Sequence, residues 1–412
     1  MKNIHHNKDL ACRFCGAETF EILDFGNLPL ANTLLSDKSI PVETYPTVVN
    51  ICSDCSTAQL NYCTDLDILY KEYAYITPKS PMLTEHYQTI INHLINQHGL
   101  ESWANVLEIG SNIGRFLQHL KPYVNSMIGV DPAQNIVKMA NQEGIPTRCD
   151  YFDSESAADI EKQSGAKDLI VSRHCFAHNE EPWKMLEGVD KLLTDEGVFV
   201  IENAYFPDTV ELREFDQIYH EHMYYYNLRA IQKITSKFGF KLIDCLHSDI
   251  HGGTMLYVIK RQSAQGELSK TALQYLELEK DMHHVNYYEK FITGVQKNIL
   301  EIQNTIKKIQ SQGKSISVYG ASAKSATLLN FLGIDSSMIS YAVDSSITKQ
   351  GRYIPLTGIK IISEEQQAQL SPPDYYLLTI WNYKDEIIRK VRESGNSTSR
   401  FIIPHPTLEI VE

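Results

Sequence analysis

The sequence predicts an α/β protein built from three units in a row, and three observations carry that prediction. Two Cys-x-x-Cys pairs punctuate an N-terminal stretch too poor in apolar residues for a large core. Strand and helix patterns then alternate through the middle and finish in a hairpin, and a shorter strand–helix–strand series fills residues 315–412. A chain of 412 residues has room for two or three domains at ~150 residues each. Its 43% hydrophobic and 22% charged residues are an ordinary globular composition.

Charge narrows the partners. The 38 basic against 51 acidic side chains leave a formal −13, which repels phosphate backbones and anionic lipid, and no basic patch offsets it. We therefore expect a small-molecule ligand, no nucleic acid and no membrane. The opening MKNIHHNKDLACRFCGAETF lacks the apolar stretch of a secretory signal, and no apolar run approaches the ~20 residues that span a bilayer. A cytoplasmic protein with eight mostly reduced cysteines is the expectation.

In the first unit, residues 1–80, the patches Phe25, Leu28, Pro29, Leu30 and Val48, Val49, Ile51 are too small to stand alone, so the block needs a staple. Cys12-x-x-Cys15 and Cys52-x-x-Cys55 offer four thiolates at the spacing that wraps tetrahedral Zn²⁺, although the 36 residues between them exceed the usual ribbon spacing. Four cysteines leave no open coordination position, so the metal is read as structural.

The second unit, residues 81–262, opens with Thr84 as the expected cap of a helix that carries Ile90, Ile91, Leu94 and Ile95 on one face and ends near Gly99. Apolar runs at 106–109, 127–130, 169–171 and 198–201 read as strands, with helical stretches between most of them. A helix through Leu228, Ile231, Ile234 and Phe238 stops at Gly239, and runs at 240–246 and 254–259 follow around SDIHGG. Such an alternation closed by a hairpin predicts a parallel sheet with one antiparallel edge strand. It resembles the layout of a class I methyltransferase, a Rossmann-like domain.

Two stretches of this unit carry chemistry. In VLEIGSNIG (106–114) a strand ends in Glu108 and a turn through Gly110, Asn112 and Gly114 opens a helix, with Asp131 after the next strand. That turn lets backbone N–H groups approach a nucleoside closely, and an acid about 20 residues on can hold ribose hydroxyls. The middle glycine of G-x-G-x-x-G is absent and Glu108 ends the strand, which together favour S-adenosylmethionine over NAD. In FDQIYHEHMYYY (215–226), a connection beyond the carboxyl ends of the strands, Tyr219, His220, Glu221 and His222 are types that supply a base, its orienting partner and an oxyanion donor. The spacing is not that of the H-E-x-x-H zinc motif. A polar loop of satisfied histidines is the competing reading.

The third unit, residues 263–412, begins with a long helix over about 283–311. Tyr288, Ile292, Val295, Ile299, Ile302, Ile306 and Ile309 step by four and three, which predicts a helix strapped along its own domain, with a dimerising coiled coil as the alternative. The expected state is a monomer or weak homodimer. Runs at 316–319, 341–343 and 375–380, a helix through Leu328 and Leu329, and the turn YGASAKSATLL predict a second, smaller Rossmann-like domain.

Taken together, CRFCG…DFGNLPLAN…CSDC…QL, VLEIGSNIG…GVDPAQN, FDQIYHEHMYY, IHGGT and VYGASAK…VDSSITKQGRYIP…WNY resemble the three-domain S-adenosylmethionine-dependent sugar C-methyltransferases. These enzymes methylate a ring carbon beside the ketone of a nucleotide-linked 4-keto-deoxysugar. The resemblance implies that Cys12, Cys15, Cys52 and Cys55 hold zinc. It implies further that Glu108, Gly110 and Asp131 hold the methyl donor, with Asp150 and Phe152 near its adenine. His222 would remove the proton alpha to the ketone, with Tyr219 and Glu221 assisting and Tyr73 and His178 lining the same site. His251, Gly252 and Lys324 are the candidates facing the substrate. An electrophilic methyl group needs a carbon nucleophile, so a base and oxyanion donors are the chemistry to expect.

The chain departs from the family pattern at Ile113, where an acid is usual, at Leu256, where an arginine is usual, and at Ser325, where glycine is usual. Losing a bidentate phosphate partner at 256 bears on substrate recognition. Methylation at C3 rests on the resemblance alone, since C3 and C5 both lie alpha to a C4 ketone. The rival readings are an O- or N-methyltransferase acting on another small metabolite, a nucleic-acid methyltransferase gripping RNA through its cysteines, and an inactive zinc scaffold. Against the second, Ser371-Pro-Pro-Asp374 lacks the aromatic of an amino-methylating motif.

Overall fold

The computed structural model describes residues 6–70, 73, 75–100 and 104–412. Among them, three sheets organise the chain. The first has five strands in the order His6–Ala11, Glu18–Pro29, Thr44–Cys52, Ala58–Leu60 and Tyr224–Tyr225, all antiparallel. Its last strand comes from the far side of the chain, with Tyr224 opposite Gln59. The apolar patches of this unit pack outward rather than into a core of their own. Phe20 meets Tyr288 at 5.9 Å between ring centroids and Phe25 meets Phe331 at 4.5 Å, so the core is shared with the third unit.

The central sheet runs Phe240–Ser248, Thr254–Arg261, Leu193–Ala204, Lys167–Arg173, Asn105–Ile109, Ser126–Asp131 and Thr147–Cys149. The expected single antiparallel strand is Thr254–Arg261, but it is not at the edge. It inserts between Leu193–Ala204 and Phe240–Ser248 and is antiparallel to both. The reason is burial: residues 254–259 are buried without interruption, so the strand needs cover on both faces and a neighbour on both sides, and Phe240–Ser248 takes the edge.

A second correction concerns the helix Pro81–His98. Ser80, not Thr84, is its N-cap residue, and Thr84 is exposed inside the helix. Proline at the first helical position has its φ preset and lacks the N–H that would go unsatisfied there, so the helix starts a turn earlier than the threonine suggests. Its C-terminus is as expected: Gly99 sits at φ 69° and its N–H bonds to Leu94 O. The helix Lys270–Leu278 and the short strand Thr147–Cys149 have too little periodicity to read from sequence.

The long helix is Glu289–Ser311, preceded by the 3₁₀ turn Val285–Tyr288. Its seam of Val295, Ile302, Ile306 and Ile309 is buried between the first unit and the last. The C-terminal sheet runs Ile361–Ile362, Ala342–Val343, Ile316–Tyr319, Tyr375–Leu378, Arg400–Ile403 and Glu409–Val411, parallel except for its final strand. No helix among the described residues is long and apolar enough to cross a membrane.

Candidate active site

The carboxyl ends of Asn105–Ile109, Ser126–Asp131, Lys167–Arg173 and Leu193–Ala204 open into a cavity of about 680 Å³, where a doubly wound sheet is expected to bind ligands. Asn32 reaches it from the first unit, and Gly320, Lys324 and Tyr383 reach it from the third.

One half of the cavity is built on the glycine turn. Gly110 has φ 68°, and a Cβ there would lie 2.6 Å from the Cβ and Sγ of Cys175, so the backbone passes closer than any side chain allows. The N–H groups of Asn112 and Ala133 donate to the two oxygens of Asp131, each at 3.0 Å, tying two strand-end turns to one carboxylate. Asn112 in turn accepts from the Thr77 N–H at 3.0 Å and donates to Tyr75 O at 3.1 Å, which binds the segment before the helix Pro81–His98 over the cavity. Glu108 is buried with Oε2 unpartnered. Burial pushes its carboxyl up to about 8, against the pull of Arg173 and with the repulsion of Glu202 and Asp131. Asp150 and Phe152 line the same half.

These residues fit S-adenosylmethionine on two counts. An orphaned buried carboxylate oxygen asks for a ligand donor, which hydroxyl or ammonium groups provide, and Gly110 lines the cavity as bare backbone, its turn pressed against Cys175. Gly114 is not among the lining residues. It sits at φ 74° with Ile145 pressed against its α-carbon, where a Cβ would come within 2.5 Å, so it shapes the turn and packs the helix Arg115–Leu120. Ile113 is likewise turned into an apolar cluster with Ala133 and Ile136.

The other half gathers the residues of 215–226. The Tyr219 hydroxyl is 3.0 Å from His222 Nε2, and His222 Nδ1 is 2.9 Å from Gln217 O. A carbonyl only accepts, so Nδ1 carries the proton and Nε2 is the bare nitrogen, accepting from Tyr219. Burial lowers His222 to about 4, helped by His174 and Lys324 against the Gln217 carbonyl, and holds the Tyr219 phenol well above its usual value. Glu221 takes hydrogen bonds from Asn32 Nδ2 at 2.5 Å and from the Tyr73 hydroxyl at 3.1 Å. Burial raises its carboxyl to about 7 against those two donors. His178 stands 5.0 Å from His222 between ring centroids and bonds the Tyr70 hydroxyl at 3.0 Å.

His220 does not join them. Its Nε2 lies 3.0 Å from the Thr47 hydroxyl and 3.2 Å from Tyr45 O, which pins the segment to the first sheet. Gly252 also lies outside the lining, with Glu214 against its α-carbon, where a Cβ would meet Oε1 at 2.4 Å. His251 does line the cavity, at φ 61°, and its carbonyl accepts from Lys324 Nζ at 3.2 Å. Leu256 is buried in the core beneath the helix Pro81–His98, not in the cavity wall.

Sequence reasoning missed Arg173, Glu202 and Asn32. Arg173 Nε donates to Glu202 at 2.5 Å, its guanidinium lies 4.4 Å from the Tyr87 ring centroid, and His86 pairs with the same carboxylate. Although burial opposes it, Arg173 and His86 hold Glu202 well below the usual carboxylate range. The signal was present: LIVSR and VFVIE each end an apolar strand in a charge, at the end of the sheet that faces the ligand.

The four cysteines come together at the tip of the first unit, with all Sγ atoms within 4.8 Å of one another. The pairs Cys12–Cys55 and Cys15–Cys52 stand at 3.7 and 3.3 Å. Tetrahedral zinc with Zn–S of ~2.3 Å sets sulfurs about 3.8 Å apart, so the cluster fits Zn²⁺. Backbone N–H groups of Asp54 and Cys55 point at Cys52 Sγ from 3.4 and 3.3 Å, as they do toward a thiolate.

Comparison with known proteins finds three families in order along the chain. A zinc binding domain family matches residues 12–70, a methyltransferase domain family 83–244 and a C-methyltransferase C-terminal domain family 249–406. The C-methyltransferase NovU of Streptomyces niveus is 30% identical over 405 residues, covering 97% of this chain and 96% of its own. A malonyl-[acyl-carrier protein] O-methyltransferase of Brevibacillus brevis is 26% identical over 147 residues, 34% of this chain and 50% of its own. Among solved structures, magnesium protoporphyrin IX methyltransferase of Synechocystis PCC 6803 with bound SAM has 13% identity and a TM-score of 0.34, covering 46% of this chain and 88% of its own. With a relative matched end to end and all three of its units recognised in order, the chain belongs to the family of S-adenosylmethionine-dependent C-methyltransferases that carry a zinc binding domain.

Proposed function

We propose that the protein C-methylates a nucleotide-diphospho-4-keto-6-deoxysugar at C3, with His222 as the base. One observation carries the reading: in the cavity at the carboxyl ends of the strands, the imidazole of His222 is held neutral with its bare Nε2 facing a phenol that stays protonated. A neutral nitrogen can take a proton from carbon, and a protonated phenol can donate to the oxyanion that forms beside it.

In this reading the C3–H bond breaks toward His222 Nε2, and its electron pair moves into an enolate whose charge rests on the C4 oxygen. The hydrogen bond from Nδ1 to Gln217 O keeps the imidazolium in place. Tyr219 turns its hydroxyl from Nε2 to the C4 oxygen as substrate enters, while Tyr73, its single hydroxyl proton donated to Glu221, is held as a wall of the same pocket. Glu108, Gly110, Asn112 and Asp131 hold S-adenosylmethionine, which supplies an electrophilic methyl group when bound. Lys324 closes the cavity from the third unit against the nucleotide sugar, bonded to the carbonyl of His251 on the second. The three units would divide as 1–80, 81–262 and 263–412.

The test is solvent exchange in D₂O with dTDP-, GDP- and CDP-4-keto-6-deoxysugars, followed by NMR and mass. C3 deuterium uptake without the methyl donor, then a gain of one methyl at that carbon, is expected from the wild type. In His222→Asn the exchange should fall roughly 10²–10⁴-fold. Full methylation by His222→Asn, or methyl on oxygen or nitrogen, defeats the proposal and favours an O- or N-methyltransferase.

A further inference from the structure

The helix Pro81–His98 walls the cavity with Leu83 and Tyr87 near its start, and at its other end it carries two histidines that the mechanism does not use. His93 and His98 converge there on Asp244 of the edge strand Phe240–Ser248. Both Nε2 atoms stand 3.0 Å from one oxygen, Oδ2. The strand reaches this position through a β-bulge: its pairing with Thr254–Arg261 slips between Leu242 and Asp244, leaving Ile243 as the extra residue. Bulges re-aim side chains, and Ile243 and Leu246 both pack into the core beneath the helix, so the slip throws Asp244 toward the same side.

We propose that His93, His98 and Asp244 form a second metal site, for a divalent first-row transition cation such as Zn²⁺, separate from the four cysteines. Three features carry this. The donor set of two imidazoles and a carboxylate is one that zinc, cobalt and nickel share. The ligand atoms lie within 4.8 Å of one another. Ligand bonds of ~2.0–2.2 Å at tetrahedral or octahedral angles put neighbouring donors about 3.0–3.4 Å apart, close to the 3.0 Å seen.

The third feature is orientation. His98 is in line to hydrogen-bond Asp244, whereas His93 Nε2, equally close and buried, lies off the line of such a bond. An imidazole at hydrogen-bond distance that does not point along the bond is aimed at a shared point beside it, as metal ligands are. A simple ion-pair triad would align both rings on the oxygen. The side chains are 17%, 9% and 12% exposed, which leaves a path for the ion and room for water to complete the shell. A cation there would clamp the last turn of the helix to the edge of the sheet.

Metal counting on the intact, zinc-loaded protein tests this. After dialysis against buffered micromolar Zn²⁺, the wild type should carry one equivalent beyond the four-cysteine ion, while Asp244→Asn and His93→Gln/His98→Gln should lack it and keep the first. Cobalt(II) added to wild type that carries zinc on its four cysteines alone should give a visible spectrum of nitrogen and oxygen ligands without sulfur charge transfer. Added Zn²⁺ should raise its Tm by a few degrees, and not that of the variants. A wild type that stops at the four-cysteine ion overturns the proposal, as does an extra equivalent that survives in both variants. Circular dichroism identifies a misfolded variant, and the cobalt spectrum of the wild type decides the matter without either.

Discussion

His222 accepts from a phenol on one nitrogen and donates to a carbonyl on the other, and Glu221 beside it, in the half of the cavity away from Glu108, is a group whose charge changes near neutrality. The pH dependence of C3 exchange should therefore follow Glu221. Exchange rises as pH passes about 7 and the carboxyl ionises to hold Tyr73, while the imidazole, lowered to about 4, is neutral throughout. Glu221→Gln should remove the inflection near 7, and a wild-type profile with its inflection near 4 would place control on His222 instead. Glu202 acts on stability. Its folded value is depressed by Arg173 and His86, so its contribution is present above the unfolded carboxyl value of ~4.3 and is lost as pH falls through the folded one. Acid titration of Glu202→Gln should show a shallower loss of stability below about pH 4 than the wild type.

At the scale of elements, the turn at Gly110 is the least tolerant. Gly110→Ala adds a methyl group 2.6 Å from Cys175 at φ 68°, so donor affinity measured by calorimetry should fall at least about tenfold, with partial recovery in Gly110→Ala/Cys175→Gly. The long helix is held by its seam, and Ile302→Ala, at a site with no exposure, should cost about 2–5 kcal/mol in chemical denaturation. Elements that the sequence made legible share a cause. The strands at 106–109, 169–171 and 316–319 are buried on both faces and so read as unbroken apolar runs, as does the half-buried 127–130, and they are matched within a few residues by Asn105–Ile109, Lys167–Arg173, Ile316–Tyr319 and Ser126–Asp131. The two-residue strand Ile361–Ile362 offers no such run, and the place of Thr254–Arg261 inside the sheet is a matter of pairing order, which periodicity does not encode. In the site, residues adjacent in sequence were easy to find but hard to sort: His220 and His222 are two positions apart, and only the fold turns one to the first sheet and the other to the cavity.

For the whole molecule, the zinc cluster and the cavity are joined through Tyr224–Tyr225, which closes the first sheet directly after His222. Met223 N–H bonds to Ala177 O and its carbonyl accepts from Leu60, so the segment is strapped between two units. Stripping zinc with a chelator, or Cys52→Ser, should abolish exchange while leaving donor affinity within a few-fold, because Glu108, Gly110 and Asp131 rest on the central sheet. Loss of donor binding in step with zinc would show that the two halves of the cavity are not separable in this way.

The borrowed strand also sets the grammar for recombining such enzymes. A chimera that exchanges only the N-terminal segment between relatives would pair a foreign Ala58–Leu60 with a native Tyr224–Tyr225 and misplace His222 next to it. The heritable module is discontinuous: residues 6–70 and 215–227 form one transplantable piece, whose two parts must travel together for the recipient to keep its activity.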